Sequence, residues 1–198
     1  MMKYVKTIDL NTNLLYSEKS MNFFKTFFGL DIFGVCVDNN ITLLDKQESI
    51  ILRKNCDSSN TLNGNNSKNN FFFIKSSIFN GNSDENFHDI DVLTIKSLNN
   101  IKPLLKKYNG NNIGIEFLIN DIRYYNNDEL GKWFFDMTWI YRLCKKYNFE
   151  FILSSGASEY FELIPIKIFN IILENLDIEK GKYWNDLNIW LDDKKRSI

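Results

Sequence analysis

Short runs of apolar, β-branched and aromatic residues alternate along the chain with segments whose apolar positions recur every three or four residues. This is the pattern of repeated βα units rather than of an all-helical or all-strand protein. Seven runs read as strands, at residues 6–10, 32–37, 49–52, 71–75, 91–95, 113–119 and 150–154. Several are apolar at consecutive positions, as in Phe71-Phe72-Phe73-Ile74 and from Phe149 to Leu153. A strand that is apolar on both sides is covered on both faces, the condition of a strand in a parallel sheet or barrel. Seven such strands separated by helices predict an α/β barrel.

The clearest helix spans residues 131–147, where Trp133, Met137, Ile140, Cys144 and Tyr147 step by four and three onto one face. Its opposite flank carries Arg142, Lys145 and Lys146. A second helix begins at Pro165, an accepted first-turn residue, and places Ile168, Phe169, Ile172, Leu173 and Leu176 on one side. Residues 18–28 and 98–108 read as two more, ending near Gly29 and Gly110, where glycine takes the left-handed turn that closes a helix. Residues 55–70 are Asn-rich, polar and almost uncharged, which predicts a mobile loop, and residues 79–86 read as a shorter one. No internal repeat is visible.

At 198 residues the chain is expected to form one domain over residues 1–198. With 44% apolar and 25% charged residues it is too apolar for intrinsic disorder and large enough to build a core without disulfides or a structural metal. A formal net charge of -1 excludes the strongly basic kind of nucleic-acid binder, so any RNA contact must be local or shared. Cys36, Cys56 and Cys144 are odd in number and lack ligand-like spacing, which argues against a disulfide framework or zinc cluster and for a reducing, intracellular compartment. The first ten residues lack the apolar core of a signal peptide, and no run approaches the roughly 18 apolar residues of a membrane helix. The expectation is a protein neither secreted nor membrane-spanning.

His88 is the single histidine, so a His-rich metal centre cannot be built, and its neighbourhood reads as the entry to a buried strand rather than a catalytic site. Ser154 and Ser155 invite a Ser/His/Asp reading, yet no Gly-x-Ser-x-Gly turn surrounds them. Asp9, Asp91 and Glu116 fall on or near strand ends, and three carboxylates are a possible cradle for a divalent ion. They support a rival reading, a barrel-fold metal-dependent phosphoesterase.

Four pieces in order carry a resemblance: His88-Asp89-Ile90-Asp91-Val92-Leu93, Ile113-Gly114-Ile115-Glu116-Phe117, Arg142-Leu143-Cys144, and Phe151-Ile152-Leu153-Ser154-Ser155-Gly156-Ala157. Together with the opening Ile8-Asp9-Leu10-Asn11 and the Leu- and Ile-rich stretch from Pro165 to Leu176, the chain resembles the thirty-kilodalton protein subunit family of ribonuclease P, called component 3 in archaea. The resemblance implies a TIM-barrel-like (β/α) fold related to the polymerase-histidinol-phosphatase superfamily. It is shortened here, because such barrels typically need about 250 residues. It implies a protein that is not an enzyme on its own but an RNA-binding subunit of the ribonucleoprotein that matures the 5′ end of precursor tRNA. Catalysis there belongs to RNA and its Mg²⁺, so no cofactor is expected on the protein. Implied partners are the ribonuclease P RNA, precursor tRNA, a small partner protein and the other ribonuclease P proteins, with no membrane. A role in rRNA processing through the related RNase MRP particle is also implied, with a nuclear location if the source is eukaryotic and a cytoplasmic one if archaeal.

No catalytic residue and no metal ligand is assigned. For RNA, Arg142, Lys145 and Lys146 form one basic facet on the last turns of a helix, where solvated cations complementing the helix dipole are the plainer alternative. Lys180 and Lys182 flank Gly181 in an expected loop, and Lys194, Lys195 and Arg196 form a short basic end diluted by Asp192 and Asp193. Ser154 and Ser155 close a strand at the functional face of a barrel, where small side chains let backbone N–H groups reach a phosphate; a plain strand-to-loop turn is the alternative. Trp184 and Trp190 either stack on an unpaired base or a partner, or pack against the barrel. A protein-only scaffold is the third reading.

Overall fold

A computed structural model describes residues 5–14, 18–36, 49–55, 73–82, 87 and 89–196. The strands are β1 (Ile8–Thr12), β2 (Ile32–Cys36), β3 (Ile50–Asn55), β4 (Phe73–Phe79), β5 (Val92–Ile95), β6 (Gly114–Leu118) and β7 (Glu150–Ser154). They pair in sequence order, every neighbour parallel. Past the end of β7 a parallel bridge joins Thr12 to Ala157, so the sheet curls into a nearly closed α/β barrel of the TIM type with seven strands. Among the described residues five α-helices connect or cover them: α1 (Glu18–Phe28), α2 (Ile101–Lys107), α3 (Asn127–Tyr147), α4 (Ile166–Asn175) and α5 (Lys180–Arg196).

The apolar runs end up where their pattern requires. Ile8, Phe33, Ile51, Ile74, Leu93, Ile115 and Phe151 are all buried, as are Met137, Ile140 and Cys144 of α3 and Phe169, Ile172 and Leu173 of α4. Helix α3 starts four residues before the expected position because Asn126 and Glu129 form a reciprocal capping box, the Asn126 side chain accepting the Glu129 N–H at 3.0 Å. Helix α1 has the expected limits and closes at Gly29, whose φ is +67°. Glycine is needed for space at Gly34 of β2, where a Cβ would lie 2.0 Å from the Leu10 carbonyl oxygen.

Three expectations are corrected. β3 runs on through Arg53 to Asn55, and β4 runs through Ser76 and Ser77 to Phe79, a fully buried residue that the sequence reading put in a loop. Lys180 and Lys182 lie not in a loop but in the first turn of α5, which forms because Tyr183, Trp184, Leu187, Trp190 and Leu191 line one buried face. Trp184 and Trp190 are therefore packed against the barrel, their indole N–H groups donating to Asn170 Oδ1 and the Asn112 carbonyl. The expected loop at residues 55–70 lies, from residue 56 on, outside the described residues, as do Val37, Cys56, Phe71, Phe72 and His88.

The ring formed by the described residues has seven strands, and side chains bridge the seam between β7 and β1. On the β7 edge facing β1, the Leu153 N–H donates to the Tyr183 hydroxyl at 2.9 Å and the Ser155 N–H donates to Asp9 Oδ1 at 3.0 Å. From α5, Asn188 Nδ2 donates to the Lys6 carbonyl just before β1. Strand-edge donors and acceptors that would otherwise lie buried and unpaired are satisfied in this way.

Candidate functional site

TIM-type barrels fill their interior with layers of branched apolar side chains. Here one layer is polar. Arg53 on β3 and Glu116 on β6 sit on strands that are not neighbours, so their contact crosses the barrel interior; they are 2% and 0% exposed. Arg53 Nη1 donates to Glu116 Oε1 and Nη2 to Oε2, both at 2.7 Å, a bidentate pair. The other guanidinium hydrogens reach Ser76 Oγ, Thr94 Oγ1 and the Leu10 carbonyl. All five Arg53 donors therefore have acceptors. Glu116 in turn accepts from Ser154 Oγ at 2.7 Å, Thr94 Oγ1 at 2.6 Å and Asn11 Nδ2 at 3.0 Å. Burial alone would raise the Glu116 carboxyl, but the Arg53 charge and these hydrogen bonds outweigh it and hold the group below its ordinary range.

Asp9 lies beside this network. Its Oδ1 accepts from the Asn11 and Ser155 N–H groups, while Oδ2 is buried without a partner. Burial pushes its carboxyl up to about 6, with nearby Glu116 adding to the rise and the Ser155 and Asn11 hydrogen bonds opposing it.

The three carboxylates of the metal reading do not converge. Glu116 is committed to Arg53, and Asp91 precedes β5, where it accepts from the Lys75 N–H and pairs with Lys194 at 2.9 Å. Asp9 alone keeps a free oxygen. Among the described residues no group of three or more metal-ligating side chains exists. The donor set present does not fit a divalent ion, since a guanidinium already occupies the place beside the best-placed carboxylate.

The residues expected to contact RNA are dispersed. Ser154 and Ser155 are fully buried, with Ser154 Oγ given to Glu116 and the Ser155 N–H given to Asp9, so the small-residue strand end supports the interior and the seam instead of presenting free N–H groups. Lys145 points away from Arg142 and Lys146 toward α5, bridging to Asp186 at 3.0 Å and approaching Glu150 at 4.0 Å. Lys182 shares Asp186, and Lys180 pairs with Glu174. Lys194 is only 12% exposed, held by Asp91 and lying over the Trp190 ring, so it is not part of a free basic end. Arg196 approaches Asp193 at 3.9 Å, and Lys195 is exposed. Arg142 and Lys146 stay together on the exposed side of α3. Exposed ion pairs contribute about 0–1 kcal/mol, so Lys180, Lys182 and Arg196 remain able to exchange an acid for a phosphate.

Two surface features were not anticipated. At the carboxyl ends of β5 and β6, an open cleft of about 320 Å³ is lined by Lys96, Asp121, Tyr125, Glu129, Lys132 and Trp133. The Lys96–Asp121 ion pair, at 2.7 Å, occupies one wall. Phe23 and Phe27 of α1 and Phe161 are also exposed, near Phe24, which stacks on Tyr160. No helix among the described residues is long and apolar enough to cross a membrane.

No family model matches the sequence, and no curated protein is significantly similar to it. Among solved structures, this chain is similar to a chain of the cryo-EM structure of archaeal ribonuclease P with mature tRNA, with a TM-score of 0.66 at 14% identity. The match covers 96% of this chain and 90% of that one, so the two share a fold along nearly their whole lengths.

Proposed function

We propose that the chain is a non-catalytic, RNA-binding protein subunit of ribonuclease P, supporting the RNA that matures the 5′ end of precursor tRNA. The observation that carries this reading is the agreement between the ordered motifs of the sequence and a barrel likeness, to a chain of archaeal ribonuclease P with mature tRNA, that spans nearly the whole chain. Chemistry supports the non-catalytic part. In the barrel interior, just below the carboxyl ends where barrel enzymes keep their reacting groups, Arg53 neutralises Glu116, and Ser154 at the end of β7 is hydrogen-bonded to it. Among the described residues, Ser154 has no free base beside it to activate it, and the carboxylate best placed for a metal is already used by Arg53. Any Mg²⁺ requirement then belongs to the RNA.

Protein partners are part of the proposal, because the resemblance implies a small companion subunit. The exposed aromatic side chains Phe23, Phe27 and Phe161 give it a surface to cover. Purifying the tagged chain from its native cells, sequencing the RNA that comes with it and assaying the eluate on precursor tRNA tests the reading. One structured RNA with 5′-maturation activity is the expected result; an RNA-free protein refutes it. Phosphodiesterase activity of the purified chain that is lost in Glu116→Ala would favour the metal-dependent rival.

A further inference from the structure

Helix α3 turns Met137, Ile140 and Cys144 inward, and the face opposite them is not simply polar. Phe135 is 75% exposed and Trp139 is 40% exposed. With Arg142 and Lys146 they follow one another at intervals of four, three and four residues, the spacing of a single stripe along a helix. The stripe is about 16 Å long. Helix α2 packs beside α3 and presents Lys102 and Lys106 to solvent on its own exposed side. Among the described residues, none of Lys102, Lys106, Arg142 and Lys146 is held by an acidic side chain. Asp128, in the first turn of α3, is the one acid on the same stripe. Two flat rings and two cations without an acidic partner thus share the outer face of α3, with the exposed lysines of α2 on the helix packed beside it.

Cations alone on a helix face are ordinary solvated surface, and aromatic rings alone suggest a protein contact. Their combination is what unpaired RNA requires: positive charge to follow the backbone, and open π-faces on which bases stack whatever their sequence. A paired A-form duplex cannot use the rings, since its bases stay stacked on one another and it is recognised through shape, 2′-hydroxyls and phosphates.

We infer that the outer face of α3, extended by the exposed lysines of α2, is a binding platform for a single-stranded RNA segment, with Phe135 and Trp139 stacking on bases and Lys102, Lys106, Arg142 and Lys146 neutralising phosphates. This deepens the ribonucleoprotein reading above and rests on it. It also narrows the basic facet, because Lys145 is committed to Asp186 and takes no part.

Fluorescence anisotropy at low salt tests the platform, with the full chain, a labelled oligouridine and a blunt RNA duplex of the same length. The chain is expected to bind oligouridine more tightly than the duplex. Trp139→Ala should weaken oligouridine binding about tenfold while leaving the salt dependence unchanged. Arg142→Gln with Lys146→Gln should lower the slope of log affinity against log salt by about 1.4, the loss of two phosphate contacts on a single strand. Trp139, Arg142 and Lys146 are all exposed, so unchanged circular dichroism and melting are expected, and Trp139→Phe should recover most of the lost affinity. Equal binding of duplex and oligouridine, or binding untouched by Trp139→Ala, overturns the platform. Native co-purification separates this from the wider reading: a Phe135→Ala/Trp139→Ala chain that still recovers the structured RNA at wild-type yield, with oligouridine binding also unaltered, removes the platform but leaves the ribonuclease P assignment standing.

Discussion

Arg53→Met isolates the energetics of the barrel interior. Methionine fills much of the volume of the arginine stem but removes the cation, leaving Glu116 fully buried beside Asn11, Thr94 and Ser154. The two hydrogen bonds to Glu116 vanish together with those to Ser76, Thr94 and the Leu10 carbonyl, and removing one partner of a buried pair typically costs about 3–5 kcal/mol. Glu116 has one escape, which is to take up a proton. At neutral pH that costs about 1.4 kcal/mol for each unit between the buffer and the ordinary carboxyl value, close to 4 kcal/mol in all, and this caps the electrostatic loss. At pH 5 the same escape costs about 1 kcal/mol. Arg53→Met should therefore lose about 4 kcal/mol against wild type at neutral pH and visibly less at pH 5, read from urea unfolding at the two pH values with equal slopes. Because hydrophobic replacement of a whole buried pair is often neutral or better, Arg53→Met/Glu116→Leu should recover most of the loss. A single variant within 1 kcal/mol of wild type at neutral pH, or a loss that does not change with pH, would refute the account.

Three further outcomes are expected. Asp9 has a folded value of about 6, above its ordinary 3.8, so its ionisation opposes folding. Its effect is absent below pH 4, grows as pH rises toward 6 and levels off at about 3 kcal/mol, so Asp9→Asn should flatten the fall in urea midpoint that wild type shows between pH 4 and pH 7. Tyr183→Phe leaves the Leu153 N–H at the seam without its acceptor and should cost about 1–3 kcal/mol with fast amide exchange at Leu153, whereas slow exchange there would show that the seam is closed by something else. Gly34→Ala must push the Leu10 carbonyl aside and should lower the melting temperature by several degrees, an effect that Gly131→Ala, in open space on α3, does not share.

The barrel was legible because its strands are apolar on both faces, a signal confined to a few consecutive residues each. Each of the seven strands overlaps the run that predicts it, though β1 runs on to Thr12 instead of ending at Leu10 and β4 runs on to Phe79. Their polar ends were not legible. Ile50-Ile51-Leu52 reads as a strand that stops at Arg53, since nothing nearby in sequence shows that the charge will meet Glu116 on β6. Ser76 reads as a strand-ending residue for the same reason: inside the barrel its hydroxyl is satisfied by Arg53 and the Lys54 carbonyl, partners that are distant in sequence. Gly181 made Lys180 and Lys182 look like loop residues, whereas the helix there is held by Tyr183, Trp184 and Leu187 against the barrel. The basic facet was half legible, because periodicity puts Arg142 and Lys146 outward but cannot say that Lys145 will find Asp186. Ser154 and Ser155 stand out in the sequence by their position at a strand end, and their commitment to Glu116 and Asp9 depends on residues on β6 and β1.

The seam between β1 and β7 bears on the order in which the protein can be made. Asp9 must wait for Ser155, and the Lys6 carbonyl must wait for Asn188, partners separated by 146 and 182 positions. A ribosome releases the first strand long before either partner exists. Until β7 and α5 have emerged, the half-built sheet holds raw edges that are closed only later, by Asp9 meeting Ser155 and by Tyr183 and Asn188 of the last helix, and such edges invite pairing with other chains. Contacts this distant also close slowly, so the nascent barrel is exposed to that hazard for longer than a fold stitched from neighbours would be. Chaperone dependence in the cell, concentrated on chains stalled before residue 180, is the physiological form this geometry would take.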